Sequence, residues 1–347
     1  MAEVKFGVNL NNREPLIAPD YSLQDLLSLA VRSEELGFDS VWVGDSLFSK
    51  PRWEPITLLS AISQRTSRVK LGTACMVSGT RHPLYLALEW ATLDALSNGR
   101  TILGTGMGNP EEGVRREYAA VGLDFDKRAR IFEEGLAVLR QLWTEGRTDF
   151  TGETYDFDNI AFFSGTEMGP LMPVQSPPPI WVVSNPRLTV GTKQEAKTER
   201  VVSKAARRIA AYGDGWMTCC RARHPDEFRA QLAQVEQAIA EAGRSRDEFV
   251  MSYQVTMNIA DTREQAHAGI NAYISQYYPE LSKAMDLGEW GPVGTPDDIA
   301  EWFQTFIDAG VDYFICRFGS LDQFGQVEQF ARDVLPRFTT ATAAARA

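Results

Sequence analysis

The stretch at residues 69–108, VKLGTACMVSGTRHPLYLALEWATLDALSNGRTILGTGMG, constrains the fold of this chain more than any other. A β-branched run at 69–76 ends in small residues, and a turn containing Pro83 starts an amphipathic run to about Leu96. Ser97-Asn98-Gly99-Arg100 then breaks the helix, and a second apolar run dissolves into Gly104, Gly106 and Gly108. The pattern predicts strand, helix, tight turn and parallel strand: one βαβ unit with glycines at the carboxyl end of its second strand. Parallel α/β folds bind ligands at the carboxyl ends of their strands, so this unit already points to a site.

A chain of 347 residues has room for one large α/β barrel or two smaller domains. An apolar share of 44% supports a substantial core, and a net charge of −11 argues against nucleic acid or an anionic membrane as the main partner. The four cysteines, Cys75, Cys219, Cys220 and Cys316, show no C-x-x-C spacing. Free thiols in a cytoplasmic protein are the expectation, rather than a strained vicinal disulfide. The opening MAEVKFGVNL leads straight into a strand, and no signal peptide, spanning apolar run or metal-ligand cluster is read.

Along the chain, short apolar runs predict further strands at 4–10, 39–44, 178–184, 214–218, 249–259 and 311–318. Helices are predicted from the Ser22 N-cap to Leu36, from Pro55 to about Arg65, through about Leu142, and over 201–212, 225–242, 262–277 and 323–335. Thr295-Pro296 opens another, to Ala309. Residues 109–130 read as a charged loop and 151–157 as a small hairpin segment. Eight strands, each followed by a helix, predict an α/β fold of the (β/α)8 TIM-barrel type as one domain over 1–347, with inserts after strands 4 and 5 at about 160–173 and 185–200. The competing doubly wound sheet of two domains lacks a linker or composition shift to mark its boundary.

Four motifs, in this order and spacing, resemble the luciferase-like monooxygenase superfamily, barrel enzymes that use flavin or deazaflavin. They are GFDSVWVGDS at 37–46, RHPLYLALEWATLDALSNGR at 81–100, ILGTGMG through EYAAVGLDF at 102–125, and PPIWVV at 178–183 with YGDGW at 212–216. The resemblance covers nearly the whole chain. It implies a flavin-type ring over strand 3, against a non-prolyl cis peptide at Ala74-Cys75. Gly106 and Met107 would border the ring or its ribityl chain. The GxGxG string by itself is weak evidence for a phosphate loop, because it lacks Rossmann and P-loop spacing.

For the cofactor phosphate the resemblance nominates Ser184 and Asn185 after strand 5, and Arg128 or Arg130 at the helix after strand 4. The alternative use of these arginines is a solvated helix face paired with Glu133 and Glu134. Arg187, Thr189, Thr192 and Lys193 in the second insert would cap the phosphate or form a lid. His82, Asn9 and Ser46 are the candidates for chemistry, and Arg317 on strand 8 is expected to meet cofactor, substrate or a buried acid. His224 and His267 read as structural or exposed, and Asp45 as a cap.

In the deazaflavin-dependent sugar-phosphate dehydrogenases of the superfamily, a histidine follows the strand-2 aspartate and a glutamate follows the strand-4 GTG. Those positions are Ser46 and Met107 here, so that acid/base pair is missing. The expected activity is monooxygenation of a small, rather apolar substrate by O2 and reduced FMN, supplied by a separate flavin reductase, with Phe48, Trp53, Phe162 and Phe163 near the substrate. The alternatives are hydride transfer with the deazaflavin coenzyme F420, for which Lys193, Lys197 and Arg200 would hold a polyglutamate tail, and a non-catalytic flavin-binding partner subunit. A homodimer through the helices near Leu86, Trp90 and Leu93 is also expected.

Overall fold

The computed structural model describes residues 3–18, 20–162, 171–184, 195–219, 224–277 and 291–338, without the side chains of 195–203 and 219. Eight parallel strands close on themselves: β1 (Lys5–Asn9), β2 (Ser40–Val43), β3 (Lys70–Thr73), β4 (Thr101–Gly106), β5 (Ile180–Val183), β6 (Gly215–Cys219), β7 (Val250–Ile259) and β8 (Tyr313–Phe318). Each pairs with its successor, and β8 returns to β1 through Lys5↔Tyr313 and Gly7↔Ile315. This is the expected (β/α)8 barrel.

Helices α1 (Leu23–Glu35), α2 (Pro55–Ser63), α3 (Pro83–Leu96), α4 (Glu112–Ala120), α5 (Arg128–Glu145), α6 (Glu195–Tyr212), α7 (Pro225–Glu241), α8 (Arg263–Tyr277), α9 (Pro296–Ile307) and α10 (Gln323–Asp333) complete the chain. Ser22 and Thr295 both form full capping boxes, with Asp25 and Asp298, so these two helix starts are encoded locally. Outward-facing strand residues such as Phe6, Val8, Phe314 and Cys316 join the buried helix faces in one large apolar cluster.

Strand periodicity sends alternate residues into the barrel. Trp42, Ile102, Trp181, Met217, Tyr313 and Ile315 form a separate buried cluster there, with Ala74 above. The rings of Trp42 and Trp181 lie 5.1 Å apart, as do those of Trp181 and Tyr313. Gly7 and Gly72 leave the space that the Trp42 indole fills, since a methyl group on either would overlap it. The indole Nε1 and the Tyr313 hydroxyl both donate to Ser40 Oγ, at 2.5 and 2.8 Å. The amino-terminal half of the barrel is therefore a packed and hydrogen-bonded floor.

The structure corrects five expectations. Strand 3 stops at Thr73 and resumes as Met76–Val77 beside β4, because the Ala74-Cys75 peptide between them is cis. The charged loop at 109–130 contains α4, whose Val114, Glu117 and Tyr118 make a buried face that its many charges hide in the sequence. The hairpin is longer than 151–157, pairing Arg147–Thr151 with Asp156–Ala161, and α6 begins before 201. Leu86, Trp90 and Leu93 face the core, so they do not supply a dimer surface; Tyr85, Leu88 and Leu96 are the exposed apolar residues of α3. Among the described residues no helix is long and apolar enough to cross a membrane.

Candidate active site

Above the floor the barrel opens. Ala74, Cys75, Gly106 and Val183 meet at the carboxyl ends of β3, β4 and β5; a Cβ added to Gly106 would lie 3.4 Å from Val183 Cβ and 3.9 Å from Cys75 Sγ. Cys75 and Val183 are half-exposed, whereas Trp42, Trp181 and Met217 beneath them are buried. The result is a platform of small side chains around the cis peptide, and it suits the close approach of a flat ring. From across the barrel, the Gln254 amide reaches the Ala74 carbonyl at 3.4 Å. Gln254 belongs to an inward polar row on β7, Ser252, Gln254 and Thr256, paired in register with Tyr313, Ile315 and Arg317 of β8.

A charged cluster stands beside this platform. Arg317 is buried on the inward row of β8 and donates from Nε to Thr256 Oγ1 at 3.0 Å. Its guanidinium carbon lies 5.3 Å from the centre of the Tyr277 ring. Arg52 lies over Gly44, just past β2, and donates to the Tyr277 hydroxyl at 2.7 Å, while Arg13 donates to the Tyr277 carbonyl. Among these groups is Glu14, 1% exposed, in a short turn after β1. Asn12 fastens that turn to β2, donating to the Gly44 and Trp53 carbonyls and accepting from the Gly44 amide.

Glu14 Oε1 accepts the Tyr273 hydroxyl at 2.5 Å, and Oε2 is buried with no hydrogen-bond partner among the described residues. Burial raises the carboxyl to about 7, against the opposing pull of the Tyr273 hydrogen bond and the Arg317 and Arg52 charges. Arg317 and Arg52 thus act on the Glu14 carboxyl through their charges.

The predicted residues divide between this mouth and the outer shell. Asn9, Ala74, Cys75, Gly106 and Arg317 all lie on the inner rows, with Asn9 buried level with Trp42. Met107 packs against the outer apolar core, and its carbonyl accepts the Tyr118 hydroxyl. Ser184 follows β5, and its carbonyl accepts the Trp216 indole N–H. Asn185 and the insert residues Arg187, Thr189, Thr192 and Lys193 lie outside the described residues, as does Phe163.

The structure finds the others in other contacts. Ser46 is committed to a structural loop: it donates to Glu117 Oε1, which also takes the Phe48 and Ser49 amides at 2.6 and 2.7 Å. His82 is exposed at the start of α3, ringed by Tyr85, Tyr155 and Phe157 at 5.8–6.0 Å. Arg128 stacks on Phe125 at 4.1 Å, and exposed Arg130 pairs with Glu153 at 3.0 Å. Nor do they make the alternative pair with Glu133 or Glu134 among the described contacts; Glu133 binds Arg208 and Glu134 binds backbone amides. Asp45 does act as a cap, accepting the Val77 amide and the Arg81 guanidinium.

Sequence reading missed Glu14, Arg52, Tyr273 and the β7 row. Two signals were present: the polar run Asn11-Asn12-Arg13-Glu14 directly after a strand, and the strict alternation of Ser252, Gln254 and Thr256 with apolar neighbours.

A closed (β/α)8 barrel with small residues around a cis peptide at its carboxyl mouth leaves room for a flat ring, and the family match makes it a flavin- or F420-type oxidoreductase. The chain belongs to the luciferase-like monooxygenase family, whose sequence pattern matches residues 4–190 and 201–313. It is similar to an F420-dependent glucose-6-phosphate dehydrogenase of Amycolatopsis mediterranei (strain U-32), 27% identical over 92% of this chain and 96% of that protein. The enzyme of the same name from Mycolicibacterium smegmatis is 26% identical over 97% of this chain and 98% of its own. Among solved structures, the monooxygenase RslO1 from Streptomyces bottropensis superposes with a TM-score of 0.74 at 24% identity, covering 96% of this chain and all of its own.

Proposed function

We propose that this chain is a coenzyme F420-dependent oxidoreductase that transfers a hydride to or from a small organic substrate. The observation that carries the reading is the end-to-end similarity to F420-dependent enzymes, over 92–97% of the chain, in a barrel that keeps the ring platform. The deazaflavin would supply the hydride acceptor or donor. Ala74, Cys75, Gly106 and Val183 would support its ring, while the Trp42–Trp181–Tyr313 floor would close the barrel below and keep water out.

Glucose 6-phosphate is not the favoured substrate. The acid/base positions of the sugar-phosphate enzymes are Ser46 and Met107 here, one bound to Glu117 and the other packed into apolar core. Leu47, Phe48 and Trp53 on the β2–α2 loop and Leu16 after β1 are exposed near the mouth and favour a less polar substrate. The second reading is oxygenation with reduced FMN; the monooxygenase RslO1 shares the fold.

Anaerobic fluorescence titration of the purified chain with F420 and with FMN separates the two. F420 is expected to bind at least about tenfold tighter, some 1.4 kcal/mol. Tighter FMN binding would overturn the assignment.

A further inference from the structure

We infer that Glu14, held by Tyr273, is the proton-carrying acid of this mouth, taking the place of the acid/base pair that Ser46 and Met107 cannot provide. The inference rests on the hydride-transfer reading above and assigns its missing proton carrier.

Hydride transfer at a carbon–oxygen bond needs a companion proton. When a carbonyl is reduced, a hydride would pass to carbon from the N1-deprotonated reduced deazaflavin, the C=O π bond would break, and the oxygen would take a proton from an acid. The products are an alcohol, oxidised deazaflavin and the acid's conjugate base; alcohol oxidation runs the same steps backwards. A suitable acid lies at the mouth, changes charge near neutrality and has an oxygen that no described protein group occupies.

Glu14 meets each condition. Its turn is pinned to β2 by Asn12, and Arg317 and Arg52, which act on its charge, line the carboxyl ends of β8 and β2. One carboxylate oxygen is occupied by Tyr273, leaving the other, Oε2, buried without a partner among the described residues. Buried carboxylates elsewhere in the chain behave in the opposite way. Glu34, Glu117 and Glu134 are each saturated by two or three backbone amides, which outweigh burial and keep them ionised. Glu14 has only its own backbone amide beside the phenol, too little to offset burial, so its surroundings favour the protonated form.

The groups facing Glu14 are Tyr273 from α8, Arg317 from β8, Arg52 from the β2–α2 loop, and Tyr21 ahead of α1, whose buried hydroxyl also lacks a partner. Tyr273 is itself pushed far above ordinary tyrosine by burial and by Glu14, so it stays a donor throughout. It can orient the carboxyl without competing for its proton.

The test is the pH dependence of oxidised F420 binding to the full chain, followed by fluorescence from pH 5.5 to 9. An anionic cofactor bound at the mouth disfavours the charged carboxylate of Glu14 and favours its neutral form, so binding takes up a proton. The wild type should bind several-fold more weakly at pH 9 than at pH 6, and Glu14→Gln should bind with a flatter profile. Tyr273→Phe removes a hydrogen bond that lowers the Glu14 titration, so its midpoint should move to higher pH. Coincident profiles for wild type, Glu14→Gln and Tyr273→Phe would overturn the inference. Absence of F420 binding by the wild type at every pH would instead overturn the cofactor assignment on which it rests.

Discussion

Four buried glutamates divide this molecule into two kinds of environment. Glu34, Glu117 and Glu134 sit in the outer shell, where loops turn over helices. Each collects the amides of a chain segment: Ser67–Val69 for Glu34, Phe48 and Ser49 for Glu117, Glu153–Tyr155 for Glu134. Their carboxyls titrate below the ordinary glutamate value of 4.5, because hydrogen bonds to the ionised form outweigh burial. Glu14, at the barrel mouth, has one phenol and distributed arginine charge, and burial prevails. The same side chain is a structural clamp in one place and a proton reservoir in the other, and the number of backbone amides around it decides which.

The sharpest way to break this comparison is to remove a clamp. Glu34→Ala leaves buried amides at Ser67, Arg68 and Val69 without their acceptor, and should cost about 4 kcal/mol in urea unfolding at pH 7. A loss below about 1 kcal/mol would mean that the amides find other partners. The clamps' contribution is fully present above pH 4.5 and is lost as pH falls through their lower folded values.

Glu14 should behave in the opposite sense. Its folded value lies above the unfolded one, so ionising it costs nothing below pH 4.5, progressively more up to about 7, and a constant amount beyond. Glu14→Gln should therefore be more stable than wild type at pH 8, by up to about 3 kcal/mol, with the difference vanishing near pH 4.5. Destabilisation at pH 8 would place Glu14 among the clamps.

A smaller effect is expected from its neighbour. Arg317 lowers the Glu14 titration, so Arg317→Met should move that midpoint upward while Arg317→Lys largely restores it, as read from stability against pH. At the far end of the scale is Arg130, exposed and paired with Glu153. Arg130→Ala should change stability by less than about 0.5 kcal/mol and leave F420 affinity unaltered.

Much of the frame was legible because its signals are local. The eight strands, the Ser22 and Thr295 caps and the Gly-rich end of β4 are written in runs of a few residues, and the cis peptide position came with the family resemblance. What escaped depended on distance in sequence. Nothing near Ser46 announces that Glu117, 71 residues on, will occupy its hydroxyl. Nothing near His82 shows that the hairpin carrying Tyr155 and Phe157 will flank it. Glu14 and Tyr273 are 259 residues apart, and their contact exists only because α8 lies over the closed barrel. Polarity on the inward face of β7 was readable in principle from its period of two.

Infrared difference spectroscopy of the wild type and Glu14→Gln, titrated from pH 5 to 9, tests the central claim most directly. The account predicts a protonated-carboxyl band in the wild type that persists to about pH 7 before it titrates away, and that is missing from Glu14→Gln. A wild-type band that disappears by about pH 5, or one that the substitution leaves in place, would show that Glu14 is already ionised and would contradict its role as the proton carrier of the site.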